Sequence, residues 1–100
     1  MEFKWIPPHG DLTPTRLVRI PVFCDEQGYS EDVEFDDLDP KAWHIVMMDG
    51  EKPVGTGRVL PEREETWRIG RVAVLREYRG LGRGAALMRV LEERARAHRA

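Results

Sequence analysis

The segment VAVLREYRGLGRGAALMRVLEE, residues 72–93, constrains the fold of this chain more than any other feature. A short apolar run leads into a loop with three glycines within five positions, Gly80, Gly82 and Gly84. From about Gly82 to near His98 apolar residues recur with helical spacing, which indicates an amphipathic helix. The fold must therefore place the N-terminus of a long helix directly after the end of a strand.

The rest of the sequence predicts an α+β fold with the element order β-α-β-β-β-α. Residues 2–6 alternate like a short strand, and Thr13 is a plausible N-cap for a helix that ends at Gly28. Apolar runs bounded by turn residues predict three further strands with antiparallel pairing, at 42–48, 54–60 and 66–75. Residues 29–41 read as an acidic loop closed by Pro40.

Details of two helices and one strand complete this prediction. Leu17, Ile20 and Cys24 fall on one face of the first helix and are expected to be buried, while Pro21 should kink that helix or end its regular part. Gly55 and Gly57 weaken a strand and are typical of a place where another backbone or a ligand approaches closely. The last helix carries an apolar stripe of Leu87, Met88, Leu91 and Ala95, with Val90 beside it.

Length and composition fit one soluble domain spanning residues 1–100. The chain is 41% hydrophobic and 34% charged, which argues against intrinsic disorder. No apolar run approaches the length of a membrane span, and the N-terminus does not resemble a signal peptide, so no membrane partner is expected. The single cysteine, Cys24, cannot form an internal disulfide, which favours a cytoplasmic location.

Charge is distributed unevenly between the two halves. Residues 1–50 carry four basic and eleven acidic side chains, and residues 51–100 carry twelve basic and seven acidic ones. The acidic side chains are densest in residues 25–39, a belt that could attract a cationic amine, although solvated surfaces would show the same pattern. The basic half lacks an aromatic stacking platform, so a nucleic-acid partner is not expected.

The glycine-rich loop is compatible with several kinds of site. A P-loop needs a Gly-Lys-Ser/Thr ending, which is absent. Gly80, Gly82 and Ala85 match a dinucleotide fingerprint, but no second strand with an acidic residue follows in this sequence. A plain flexible turn would not need arginines on both sides of the glycines. An anion cradle remains, because the first N–H groups of a helix lack partners and Arg79 and Arg83 add positive charge.

The loop sequence RGLGRG, residues 79–84, resembles the Gln/Arg-x-x-Gly-x-Gly/Ala signature of the GCN5-related N-acetyltransferases (GNAT). The likeness extends over residues 16–98 and includes RIPVFCDEQG in the first helix and VGTGRVL in the third strand. The resemblance implies a mixed, mostly antiparallel sheet flanked by helices, corresponding to the N-terminal portion of the family fold. It also implies transfer of an acetyl group from acetyl-CoA to a primary amine of a small molecule or peptide.

The resemblance places the cofactor residue by residue. Its pantetheine arm is expected beside the backbone of Val72, Ala73 and Val74. The backbone N–H of Val74 is the candidate that polarises the thioester carbonyl. The pyrophosphate is expected on the amides of Arg79, Gly80, Leu81, Gly82, Arg83, Gly84 and Ala85.

The general base cannot be identified from the sequence. The available carboxylates are each expected to be solvated surface groups: Glu26, Glu34, Asp36, Asp37, Asp39, Glu64 and Glu65. His44 lies in an apolar strand and is expected to be a hydrogen-bonded core residue, and Cys24 a small buried hydrophobe. His9 and His98 lie at the edges of elements, and their positions indicate no function. No His, Cys and Asp side chains have the spacing of metal ligands.

Family members usually continue beyond this helix with further strands and a tyrosine that serves as general acid. We therefore expect a C-terminally truncated domain whose fourth strand has an open edge. Such an edge favours a homodimer or exchange of elements between copies. The alternative function is a module that binds CoA or another phosphate ligand without turnover.

Overall fold

The computed structural model describes residues 1–63 and 66–97. Four antiparallel strands form one sheet in the order β1-β2-β3-β4, so that each strand lies beside its neighbour in sequence. No helix in this part of the chain is long and apolar enough to cross a membrane. The strands are β1 (Glu2–Ile6), β2 (Trp43–Asp49), β3 (Lys52–Arg63) and β4 (Thr66–Val74).

Three helices accompany the sheet. The first begins as an α-helix and continues as a π-helical segment, and short 3₁₀ turns occur at Asp39–Lys41 and Arg76–Tyr78. The predicted order β-α-β-β-β-α and the α+β class are confirmed. The helices are α1 (Thr13–Arg19, continued by the π-helical segment Ile20–Glu26), α2 (Glu31–Glu34) and α3 (Arg83–Ala97).

Two predictions about the first fifty residues are wrong in detail. The N-cap of α1 is Leu12, with no side-chain cap, while Thr13 is the first helical residue and bonds the carboxylate of Asp11. The acidic segment is not a loop throughout, because α2 and a 3₁₀ turn form within it. Ser30 caps α2 by accepting a hydrogen bond from the N–H of Val33, as serine commonly does at a helix start.

The buried face of α1 differs from the predicted one. Leu17 is 55% exposed, whereas Thr15, Val18 and Arg19 are buried, with Val22 continuing the same face. The spacing of these four residues is that of an ordinary helix face. A prediction from hydrophobicity alone chose the wrong helix face, because two of the four buried residues, Thr15 and Arg19, are polar. Thr15 is accommodated by a 2.7 Å hydrogen bond to the hydroxyl of Thr56 on β3.

Pro21 lies where regular α-helix gives way to the π-helical segment. Proline cannot donate the hydrogen bond that an α-helix requires at this position, and a widened turn is one way to accommodate it. The helix ends at Glu26 with Gln27 as its C-cap, and Gly28, the predicted stop, follows with φ of 80°. There the N–H of Tyr29 donates to the carbonyl of Phe23, and that of Gly28 to Cys24, which satisfies the last carbonyl groups.

Helix α3 packs directly on β3 through its buried residues Leu87 and Leu91. A Cβ at Gly57 would lie 2.6 Å from a methyl carbon of Leu91, and one at Gly55 would lie 3.0 Å from a methyl carbon of Leu87. The close approach predicted at these glycines is therefore made by leucine side chains of the helix. The two helices pack on opposite faces of β3, because Gly55 and Gly57 face α3 whereas the side chain of Thr56 between them points to Thr15 of α1.

Candidate functional site

The loop before α3 has an unusual backbone. Three consecutive residues have positive φ, with values of 92° at Gly80, 56° at Leu81 and 72° at Gly82. Leu81 is 91% exposed and packs against nothing that would explain its conformation. Positive φ is costly for leucine, so the loop holds its shape against local strain.

Several amide groups of this loop and of the first helical turn have no partner. Arg83 donates its N–H to the carbonyl of Gly80, and the first α-helical bond runs from Ala86 to Gly82. Within the described residues, no backbone or side-chain acceptor takes the remaining N–H groups, those of Gly80, Leu81, Gly82, Gly84 and Ala85. A Cβ built on any of the three glycines meets nothing within 4 Å, so the space in front of the amides is open.

The two arginines of the loop bond the protein itself. The Nε of Arg79 donates to the carbonyl of Val74 at 2.9 Å, and a terminal nitrogen donates to Glu26 at 2.8 Å. Arg83 donates to the carbonyl of Tyr78 at 2.9 Å and lies over its ring. Both arginines place positive charge at the loop, as the sequence predicts, while their donors bond groups of the protein.

The strand β4 ends at this loop, and within residues 1–63 and 66–97 it pairs only with β3. Leu75 donates its N–H to Val54 of β3, whereas the carbonyl of Val74 accepts from Arg79 instead of from β3. Because the N–H and C=O of a strand residue point to the same side, the N–H of Val74 faces the open edge. By the same alternation Val72 faces the open edge, and Ala73, opposite Thr56, faces β3.

A bulge interrupts the pairing of β3 with β4 just before this point. The register shifts between Thr56 and Arg58, and Arg71 has φ of 54°. A bulge of this kind turns the strand and re-aims its side chains. The regular alternation of side chains along β4 is therefore broken at Arg71.

A cleft of about 340 Å³ adjoins the bulge. Its wall contains the end of the π-helical segment and α2, and its floor contains β4. Arg71 and Glu34 are the charged residues that line it. The lining residues are Phe23, Gln27, Tyr29, Val33, Glu34, Arg71 and Val72.

Three arginines and three carboxylates form an ion-pair cluster beneath the cleft. Arg19 is fully buried and donates to Glu34 at 2.7 Å and to Asp39 at 2.9 Å. Arg58 donates to Asp39 at 2.7 Å and to Asp36 at 2.8 Å. The remaining arginine, Arg71, makes longer contacts of about 3.4 Å with Glu34 and Asp36.

The prediction that these carboxylates are solvated surface groups is wrong for Glu34 and Asp39, which are 4% and 3% exposed. The hydrogen bond from Arg58 lowers the pKa of Asp36 to about 2. Burial acts to raise the pKa of Asp39, but hydrogen bonds from Arg19 and Arg58 outweigh it and hold that pKa below its usual value. Three carboxylates of the acidic belt, Glu34, Asp36 and Asp39, thus neutralise the buried Arg19 and Arg58.

The other candidate bases stand apart from the cleft or outside the described residues. Asp37 is exposed, and Glu26 bonds Arg79, which lowers its pKa. Glu64 and Glu65, together with His98, lie outside the part of the chain that the structure describes. The described histidine, cysteine and acidic side chains form no group of three that could hold a metal ion.

His44 is a hydrogen-bonded core residue as predicted, whereas Cys24 differs from its predicted environment. His44 is fully buried, and its Nε2 bonds the carbonyl of Asp39 at 2.9 Å, but its Nδ1 has no partner in the described structure. Burial lowers the pKa of this histidine below its ordinary value. Cys24 is partly exposed rather than buried, although desolvation still raises its pKa.

Comparison with known proteins identifies the family. The sequence model of the acetyltransferase (GNAT) family matches residues 13–100. The chain belongs to the GNAT family. An N-acetyltransferase of Bacillus subtilis, the uncharacterized YjcF, is 40% identical over 78 residues, covering 78% of this chain and 55% of YjcF. The chain spans between 52% and 64% of the length of the curated relatives that it matches.

Solved structures share this fold. Escherichia coli ElaA superposes with a TM-score of 0.79 at 28% identity, covering 97% of this chain and 70% of ElaA. An aminoglycoside 6′-N-acetyltransferase complexed with coenzyme A superposes with a TM-score of 0.73, covering 98% of this chain and 57% of that enzyme. At 16% identity the second likeness shows the fold alone.

Proposed function

We propose that this GNAT chain is an N-acetyltransferase domain that transfers an acetyl group from acetyl-CoA to a primary amine within a ternary complex. The observation that carries the proposal is the row of amides for which the described residues offer no partner, where α3 begins immediately after the edge strand β4. Such amides carry the positive end of the helix dipole and suit a diphosphate. The CoA bound to the aminoglycoside acetyltransferase of the same fold supports this choice of anion.

The residues present fit the CoA group. The diphosphate would bind the open N–H groups of the loop and first helical turn, those of Gly80, Leu81, Gly82, Gly84 and Ala85. The amide of Arg83 already bonds Gly80, so its contribution would be smaller than expected. The glycines allow close approach because no side chain fills the space in front of them.

The open edge of β4 fits the pantetheine arm of the cofactor. Val72 and Val74 direct their peptide groups to this edge, whereas those of Ala73 turn to β3, so Ala73 would contribute no such bond. Acetyl-CoA would supply the acetyl thioester. The N–H of Val74 would stabilise negative charge that develops on the thioester carbonyl oxygen, as a single oxyanion-hole donor does.

The cleft beside the bulge fits the acceptor. It lies next to Val72, so an amine held there would be close to the open edge of β4. Positioning the two substrates side by side supplies a large share of the rate in reactions of this type. Phe23 and Tyr29 offer apolar contacts, and the loosely held Arg71 is the cation available in the cleft lining.

The amine must be neutral when it attacks, so a proton acceptor is required. Glu34 is the carboxylate in the lining of the cleft, but it already accepts from Arg19 and contacts Arg71. An ordered water is therefore the better candidate for the first proton acceptor. Tyr78 is poorly suited to donate a proton to the leaving thiolate, because its hydroxyl donates to Asp49, which raises its pKa.

The alternative function is a module that holds CoA without turnover. It is favoured by the pairing of Glu34, the carboxylate of the cleft lining, with Arg19 and Arg71. The expected cytoplasmic location rests on the cysteine count and stays a prediction.

Calorimetry with acetyl-CoA and with CoA, followed by a thiol-release assay over a panel of amines, separates these functions. The proposal predicts binding of both cofactors and release of CoA thiol with at least one amine. Binding without release from any amine would favour the module. Absence of binding would contradict both functions.

A further inference from the structure

The side chain of Arg79 donates hydrogen bonds from two of its nitrogens to two different elements. Its Nε donates to the carbonyl of Val74 at the end of β4, and its terminal nitrogen donates to Glu26 at the end of the π-helical segment. Glu26 lies between Phe23 and Gln27, which both line the cleft. Arg79 thus joins the loop, the open strand and the wall of the cleft.

We propose that Arg79 is a positioning residue that fixes the loop amides against the end of β4 through its Nε–H, and not a ligand of the diphosphate. The proposal rests on the proposed function for its CoA readout. The positive charge of Arg79 is already offset by Glu26 at 2.8 Å, and Arg76 lies 3.6 Å from the same carboxylate. A paired guanidinium attracts a further anion less than a free one.

The bond to Val74 has a second consequence at the open edge. The carbonyl of Val74 is occupied by the arginine, while the N–H of the same residue stays available. An edge strand would otherwise offer both groups to any added strand. At this position the N–H of Val74 therefore remains available to donate one hydrogen bond to an added group. Arg79 also holds the loop in its strained conformation before the ligand binds.

Two variants at this position separate the roles of the Nε–H and the charge. Arg79→Gln keeps an N–H at the same number of bonds from Cα and loses the charge. Arg79→Lys keeps the charge but places its nitrogen one atom further and has no donor at the ε position. Control variants Arg76→Gln and Arg76→Lys make the same charge changes at a neighbouring side chain that is 75% exposed.

The measurement is calorimetric titration with CoA, after thermal unfolding has shown that each variant is folded. Loss of one hydrogen bond corresponds to about a tenfold change in affinity. We expect Arg79→Lys to weaken CoA binding about tenfold, and Arg79→Gln and both control variants to stay within about threefold of wild type. The reverse order at position 79 would show a phosphate ligand and overturn the proposal. Equal loss in both variants, or loss in neither, would overturn it as well.

Hydrogen exchange of the ligand-free chain tests the anchoring without reference to CoA. Arg79→Lys should accelerate amide exchange in residues 75–83 about tenfold, and Arg79→Gln should not. If Arg79→Lys accelerates exchange and Arg79→Gln does not, but the wild type binds no CoA, the anchoring role stands and the proposed function is contradicted. Unchanged exchange in Arg79→Lys would contradict the anchoring role itself.

Discussion

At the scale of single residues, two ion pairs with the same separation in sequence differ strongly in their burial. Arg19 and Glu34 are almost fully buried, whereas Arg16 and Glu31, at the same separation in sequence, are 43% and 59% exposed. Removing one charge from a buried pair leaves the other uncompensated in a poorly solvated place. The two pairs therefore provide a matched comparison within one protein.

We expect Glu34→Gln to lower the free energy of unfolding by about 3 kcal/mol, because the charge of Arg19 loses a partner in the interior. Glu31→Gln should change it by less than about 1 kcal/mol, the usual value of an exposed pair. Urea unfolding of both variants measures the difference. Equal effects would show that the buried cluster contributes no more than a surface contact.

His44 makes stability depend on pH in the range where histidine titrates. Its pKa in the folded chain is lowered by burial, with Asp39, Arg19 and Arg58 as its charged neighbours, so the unfolded chain binds a proton more readily. Stability is therefore fully present above the unfolded pKa of about 6.5 and is lost as pH falls toward the folded value. We expect His44→Gln to reduce this loss between about pH 7 and 5, and the exposed His9→Asn to leave it unchanged. Identical pH profiles for His44→Gln and wild type would contradict this assignment.

At the scale of elements, the contact between α3 and β3 depends on the absence of side chains. A methyl group at Gly57 would overlap a methyl carbon of Leu91, since the two would be 2.6 Å apart. We expect Gly57→Ala to lower the free energy of unfolding by about 1–3 kcal/mol through overpacking. Gly84→Ala, where nothing lies within 4 Å, is the control. A neutral Gly57→Ala in chemical unfolding would mean that α3 can move away from the sheet at little cost.

The elements that the sequence predicts well are those with a clear periodicity. The strand at residues 2–6, the other three strands and α3 were predicted from alternation, apolar runs and turn residues, and the structure confirms them. The face of α1 was not predictable, because Thr15 and Arg19 are buried through partners far away in sequence. The buried carboxylates of residues 31–39 were missed for the same reason.

The features of the candidate site also divide into those that the sequence predicts and those that it does not. The strand, the glycines and the helix start were visible in the sequence, because local conformation depends on local residues. The partners of Arg79 were not, since Glu26 lies 53 residues away. The bulge at Arg71 also carried no local signal, because it depends on the register between β3 and β4.

At the scale of the whole molecule, the sheet of the described residues ends at an unpaired strand. Strand β4 pairs with β3 alone, and an open edge is a template for another chain. We therefore predict that the 100-residue chain forms dimers or exchanges elements at micromolar concentration. Light scattering measures this directly, and a monomer throughout that range would contradict the prediction.

The most direct test of the central claim places a carboxylate where the diphosphate should lie. Gly82→Asp adds bulk and negative charge in front of the free amides, and Gly50→Asp introduces the same change at another glycine with positive φ, in the β2–β3 turn. In calorimetric titrations with CoA, Gly82→Asp should abolish detectable binding while Gly50→Asp binds like wild type. Unchanged affinity in a folded Gly82→Asp variant would show that the diphosphate does not bind at the start of α3.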